Sequence, residues 1–391
     1  MTIKQKNLLY GITFIIVAIG LIVGVRAWKI NKIESLIEDG KLSTGLLENP
    51  ISFDGEKYLV PPTDIHDAGE ILPVINDPKF ISISEADSFL ADDVNGIDIE
   101  VNGAHRFYSY QILNWHEVVN DNFNGVNLAV THCVLCYSSA VYETDLDFEN
   151  AGLVYNNNEL FTDTETKSLW SQILGTAISG KKIGEKLTEY PFNVTSWSDF
   201  KDTYPNGTAL SDQTGYNYDY TSHPFGGYDT AKISYFPINN ISYELANKAI
   251  IKGFFIDNKP FMVSDVIMST TWAWNGEVAN KGISVFYDTQ NKITHVYLTD
   301  NNEQRLTFEF DIENNQFVDD QTKSTWSIDG FATAGELTGA QLVELTDYKQ
   351  MFAMCFVGSY GNAIETLKNN SIGGSLLGSN LETEESDGTE E

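Results

Sequence analysis

Hydrophobic positions follow two different patterns along this chain. Leu8 to Val25 reads LLYGITFIIVAIGLIVGV, a run of uncharged residues. As a helix it spans roughly 27 Å at 1.5 Å per residue, close to the hydrocarbon thickness of a bilayer. The run is longer than a usual signal-peptide core and ends in Val-Arg-Ala-Trp-Lys, without a small-x-small cleavage site. It predicts a single-pass membrane anchor over 8–25, with residues 1–7 as its cytoplasmic end. Beyond it the pattern changes to period two. Gly96-Ile-Asp-Ile-Glu-Val-Asn-Gly alternates apolar and polar before a turn, and Asn124-Gly125 and Asn206-Gly207 are turn dipeptides. Residues 26–60, broken by Gly40, Gly45 and Pro50, read as a linker. Residues 368–391 end in an acid-rich stretch that cannot bury a core and read as a disordered tail.

The strand-rich part contains an internal repeat. Phe161-Thr-Asp-Thr-Glu-Thr-Lys-Ser-Leu-Trp170 aligns with Phe317-Val-Asp-Asp-Gln-Thr-Lys-Ser-Thr-Trp326, and one residue of slippage then pairs Gly175 with Gly330, Gly180 with Gly335 and Gly184 with Gly339. Upstream, Val101-Asn102-Gly103 pairs with Ile256-Asp257-Asn258. The predicted fold class is therefore a β-rich α+β protein, two tandem copies of a related module after an N-terminal transmembrane helix. The first module, carrying the cysteine pair, runs over 61–245 and a degenerate second one over 246–367. Positions kept in both copies belong to the fold, so Trp170 and Trp326 read as core and the paired glycines as turns.

Charge then sets the surroundings. The chain has 24 Lys and Arg against 55 Asp and Glu, a net charge of −31, and residues 1–33 hold five of the basic residues and no acid. Such an acidic chain is repelled by nucleic-acid phosphates, which excludes nucleic-acid binding. Aromatic residues at 12% supply a core, so the chain folds despite its charge. Asn-x-Ser/Thr tripeptides at Asn193, Asn206, Asn240 and Asn369, with the acidic surface, predict that the soluble part is extracytoplasmic and attached to the cell membrane by its helix.

Candidate chemistry concentrates in the first copy. Cys133 and Cys136 form a CxxC pair within Val130-Thr-His-Cys-Val-Leu-Cys-Tyr-Ser-Ser139, and His116-Glu117 lies just upstream. By the repeat, Cys133 faces Asp288, Cys136 faces Asn291 and His116 faces Thr271, so the second copy lacks this chemistry. Two thiols at this spacing can form a disulfide, exchange it with the thiol or disulfide of a protein partner, or grip a metal. His132 or His116 would tune a catalytic thiolate, and Glu117 would orient an imidazole or act as a base. In the alternative, Cys133, Cys136, His116 and His132 hold copper or zinc. The redox chemistry itself requires no cofactor. A third alternative is a structural cell-surface protein with no catalysis. Tyr137 occupies the place of the histidine that covalent haem attachment requires, and Ala140-Val-Tyr-Glu continues as a strand rather than a thioredoxin helix. Asn120 to Gly125 reads as a hairpin turn, because Thr131 stands where a calcium loop closes with Glu. Cys355, inside Met351-Phe-Ala-Met-Cys-Phe-Val, reads as a plain buried cysteine. Tyr155, Asn156, Trp170 and Gln172 are the expected cleft walls. No motif specifies an oligomeric state.

Several of these stretches together carry a family resemblance. Asn114-Trp-His-Glu-Val-Val-Asn-Asp121, Val130 to Cys136 with Ser138-Ser139-Ala140, Leu153-Val-Tyr-Asn156 and Ser168-Leu-Trp-Ser-Gln172 resemble, in order and spacing, the bacterial and archaeal domain-of-unknown-function family numbered 3179. The resemblance runs from about Ile71 through Tyr360. Family members typically carry Tyr-Cys-Pro-Leu-Cys-Gly-Ser, and the selenoprotein naming among them implies redox use of that motif. Here His132, Val134 and Tyr137 stand in place of the Tyr, Pro and Gly.

Overall fold

Short strands joined by tight turns dominate the described residues. The computed structural model describes residues 42–361 apart from 44–45, 48, 70–71, 240–244, 291 and 302–303. The predicted anchor 8–25, the end 1–7 and the acidic tail 368–391 lie outside the described residues. Among the described residues no helix is long and apolar enough to cross a membrane. The predicted strand is present as Asn95–Val101, with Asn102 and Gly103 both at positive φ in the turn that pairs it to Ala104–Ser109. Asn124 and Gly125 likewise close the hairpin Val118–Phe123 with Val126–Cys133. Asn and Gly tolerate the left-handed backbone that a two-residue hairpin needs, which is why these dipeptides are legible in sequence.

Three larger sheets form most of the first half among the described residues. A five-stranded sheet runs Asn193–Ser196, Asn95–Val101, Ala104–Ser109, Thr208–Leu210, Phe80–Ser82. A four-stranded sheet runs Thr188–Glu189, Ser138–Glu143, Val126–Cys133, Val118–Phe123. The seven-stranded sheet contains Phe148–Tyr155, Asn158–Asp163, Leu169–Ser171 and Thr176–Ser179, and it takes in Ile51–Phe53, Glu56–Tyr58 and Ile65–Asp67. The linker expected over 26–60 is thus shorter. Ile51–Phe53 and Glu56–Tyr58 form a hairpin around Asp54-Gly55, Tyr58 pairs with Ser179, and Val60 is fully buried. Strands of three residues are too short to show period-two alternation.

The second half repeats the order of elements. The hairpin Ile250–Ile256 and Lys259–Val263 is followed by Ala273–Val278, Lys281–Asp288 and Ile293–Leu298, then by Phe308–Asp311, Gln316–Asp319, Thr325–Trp326 and Ala332–Ala334. The signature tryptophans do the same work in both halves: Trp170 Nε1 donates to Asp163 Oδ2 at 3.0 Å and Trp326 Nε1 to Asp319 Oδ2 at 3.0 Å. Gly180 and Gly335 sit at φ +93 and +96, and a Cβ on either would lie 2.7 Å from a serine Cα, Ser168 or Ser324. Both reasons demand glycine.

The halves meet in one core. Strand Lys349–Phe352 pairs with Ile250–Ile256, and Phe352 N donates to Cys136 O at 2.8 Å. The helix Ala353–Tyr360 that follows is buried at every position, packed with Leu135, Val154 and Ile173 of the first half. A helix that is apolar all round has no solvent face, so its Cys355 lands inside the molecule. There it forms a disulfide with Cys136, 219 residues away, with a Cα–Cα distance of 5.7 Å. Cys355 is therefore a cross-link rather than a plain buried cysteine, and CxxC is not the pair that bonds.

Candidate functional site

The cysteine motif sits where the Val126–Cys133 strand ends. Adjacent residues of a strand point to opposite faces. His132 accordingly stacks on Tyr110 at 3.9 Å and bonds Ser139 Oγ through Nδ1 at 3.0 Å, whereas Cys133 enters the core shared with the C-terminal helix. The histidine therefore does not face the thiol beside it. Burial pushes His132 down to about 3, leaving a neutral ring whose Nε2 has no partner. His116 is also held elsewhere. Its Nδ1 donates to Pro73 O at 2.6 Å, and its Nε2 lies 2.6 Å from Tyr220 OH. A carbonyl only accepts, so Nδ1 carries the proton and Nε2 accepts from the tyrosine. Burial lowers His116 as well.

The cysteines themselves differ. Cys136 is bonded to Cys355, while Cys133 is a free and fully buried thiol. Asn157 O lies 4.0 Å from Cys133 Sγ and 3.2 Å from Cys136 Sγ, and Glu159 N donates to Cys133 Sγ at 3.3 Å. Burial, then the charges of Glu159 and Glu117, push the Cys133 thiol up, so it holds its proton at neutral pH. Tyr137, in place of the family glycine, adopts φ +51, the left-handed region in which glycine is favoured. Among the described residues no three His, Cys, Asp or Glu side chains converge as a metal site. The copper or zinc set of Cys133, Cys136, His116 and His132 is thus dispersed, because one cysteine is cross-linked and the two histidines are turned to other partners.

The four expected wall residues serve the scaffold. Tyr155 packs with Val60, Leu160 and Ile178, and Trp170 belongs to the core around Phe148 and Phe161. Asn156 Nδ2 donates to Gly358 O at 2.8 Å, tying the Asn156-Asn157 turn to the C-terminal helix. Gln172 Oε1 accepts from Ser138 Oγ and Asn158 Nδ2, both at 2.9 Å, while its Nε2 donates to Thr131 Oγ1 at 3.1 Å. Gln172 thereby joins the four-stranded sheet to the seven-stranded one.

A cavity lies beside the motif instead. A space of about 140 Å³ is bounded by Leu135, the residue before Cys136, by the aromatic side chains of Trp115, Tyr218, Phe225, Tyr235 and Phe236, and by Glu117, Asn150 and Glu159. Glu117 ends the turn 114–116 that continues from the helix Tyr110–Leu113, its N–H closing on Leu113 O at 2.7 Å, and adopts φ +58. That is the usual place for a helix-ending glycine, and a glutamate held there marks a position that the surroundings over-determine. Asn150 sits at a register shift in the Phe148–Tyr155 strand and donates to Glu117 Oε2. Glu159, opposite Val154 on the next strand, is 2% exposed, and neither of its carboxylate oxygens has a hydrogen-bond partner. Burial pushes Glu117 up to about 8 against the opposing Asn150 hydrogen bond. Glu159 rises well above the usual carboxylate range through burial and then the neighbouring Glu117 charge. Of the two desolvated carboxyls in this cavity, Glu117 is placed to take up and release a proton near neutral pH, and Glu159 beside it is held towards its protonated form.

The motif order points to one lineage, and the family model described as "Protein of unknown function (DUF3179)" matches residues 69–361. The chain belongs to the DUF3179 family. No curated protein and no solved structure matches it. Within the DUF3179 region the sequence pattern pointed to Glu117 and missed Glu159 and Asn150. A signal for Glu159 existed: in the sequence alignment of the two halves Glu117 aligns with Trp272 and Glu159 with Asn315, so both acids are confined to the half that carries Cys133 and Cys136. Trp272 also adopts φ +59, so the second half keeps the backbone of the Glu117 position without its carboxyl.

Proposed function

We propose that this protein is a membrane-anchored, extracytoplasmic protein of tandem related modules whose working site is the cavity of the first half, where Glu117 and Glu159 bind a small molecule and exchange a proton with it. The carrying observation is that both carboxylate oxygens of Glu159 are buried at the cavity without any hydrogen-bond partner. A buried polar group left unmatched costs stability, and a ligand that matches it recovers that cost. Extracytoplasmic location is supported by the Cys136–Cys355 disulfide, a bond that persists in oxidising compartments, and by the exposed Asn193 and Asn206. The 18-residue apolar run near the N-terminus supports the anchor. The test is a thermal-shift screen of small molecules against the protein and Glu159→Gln. Compounds that stabilise the protein and lose their effect in the variant are expected, while hits indifferent to Glu159→Gln, or none at all, overturn it.

A second reading rests on the cysteines. Cys133 Sγ and Cys136 Sγ lie 4.0 and 3.2 Å from the same Asn157 O, so the free thiol and the disulfide share a neighbour in one core. Once deprotonated, Cys133 would attack Cys136 Sγ, forming Cys133–Cys136 and releasing Cys355 as the thiolate, with no net oxidation. A protein thiol partner would use the same exchange. Disulfide mapping by mass spectrometry after incubation at pH 9 tests it. A Cys133–Cys136 peptide is expected, and retention of Cys136–Cys355 alone overturns it.

A further inference from the structure

The composition of the cavity wall goes beyond the presence of two acids. No Lys, Arg or His lines it, and five of its residues are aromatic. Trp115 stacks on Tyr218 with ring centroids 4.7 Å apart, and Trp115 Nε1 is fixed by Ser222 O at 3.0 Å. Tyr235, 51% exposed, packs edge-on to Phe225 at 6.4 Å, so the aromatic wall reaches from solvent towards Glu159 at 2% exposure. Aromatic faces carry negative charge density and attract cations, most strongly where water is excluded. A hard metal ion is a poor fit to such walls, since calcium and magnesium require six or more oxygen ligands, and no three metal-ligating side chains converge among the described residues.

We infer that the cavity binds a small organic ammonium ion, its cationic head against the Glu117 and Glu159 carboxyls and its alkyl groups against the aromatic faces. This rests on the site proposed above and names its ligand class. In the empty cavity protons neutralise the two acids, and an entering cation takes over that role, so binding releases a proton to solvent. The net charge of −31 draws cations towards the protein. The space of about 140 Å³ suits a compact head group rather than a drug-sized ligand.

The test is isothermal titration calorimetry of the full-length chain with choline and with its uncharged isostere 3,3-dimethylbutan-1-ol, in two buffers of different ionisation heat. Choline is expected to bind at least tenfold more tightly than the isostere, with a buffer-dependent heat that reports proton release. Glu159→Gln is expected to lower choline affinity at least tenfold, and Tyr235→Leu, at an exposed position that tolerates substitution, several-fold. Equal affinity for choline and the isostere, or choline binding unchanged in both variants, overturns the inference. If uncharged compounds from the thermal-shift screen bind at Glu159 while choline does not, the ligand class falls and the site stands. If nothing binds there, both fall.

Discussion

At the scale of single residues, the most informative feature is a cost. Glu159 is a carboxyl buried without a partner, Glu117 is a glutamate at a glycine-like backbone position, and Cys133 is a buried free thiol that accepts from the Glu159 N–H. The folded chain holds the protons of both acids to higher pH than the unfolded chain, whose glutamates titrate near the ordinary 4.5. Their contribution to stability is therefore full below about pH 4.5 and is lost as pH rises, for Glu117 through about 8. Glu117→Gln keeps an acceptor for Asn150 and removes the titration. It is expected to flatten the decline between pH 5 and 8 by up to about 1.4 kcal/mol per pH unit, read from urea midpoints. His132 acts in the opposite sense. Its folded value is lowered to about 3, so its contribution is present above its ordinary 6.5 and is lost as pH falls towards 3. Stability of the wild-type protein should fall on both sides of mildly acidic pH.

At the scale of elements, the helix Ala353–Tyr360 closes the structure. It lies wholly in the core, receives the Asn156 side chain on Gly358 O, and is stapled by Cys355 to the turn after Val126–Cys133. A cross-link closing a loop of this length chiefly limits the unfolded chain. Cys355→Ser is expected to cost about 2–5 kcal/mol by urea denaturation. Reductant should bring the wild-type protein down to the same value while leaving the variant unchanged. The Asp163 and Asp319 turns make a second comparison between elements. Each aspartate accepts from a tryptophan Nε1, from two backbone N–H groups and from a threonine hydroxyl. Asp163→Asn and Asp319→Asn are each expected to cost about 2–3 kcal/mol, through charge-assisted bonds lost in one buried turn.

At the scale of the whole molecule, the two halves share one core and one covalent bond, so they should unfold together. Differential scanning calorimetry is expected to show a single transition for the protein and for Asp319→Asn. A transition split in the variant would show that the second half unfolds on its own. The alternation around Asn95–Val101, the Asn-Gly hairpins, the paired tryptophan turns and the membership of the DUF3179 family were legible from residues, because each depends on local pattern or on order along the chain. Glu117 was legible as a candidate by its place in a motif. The partner of Cys136 was not, since nothing local distinguishes a cysteine in an apolar helix from a plain core residue. The separation of His132 from Cys133 follows from strand alternation once Val126–Cys133 is a strand. By itself, the sequence determined the β-rich class and the membership of the family, because both are written in local pattern and motif order. Only the tertiary structure decided which residues meet at the cavity. Glu159, Asn150 and the aromatic wall come from separate strands and loops, and their meeting is set by how sheets and turns pack, which no spacing along the chain encodes.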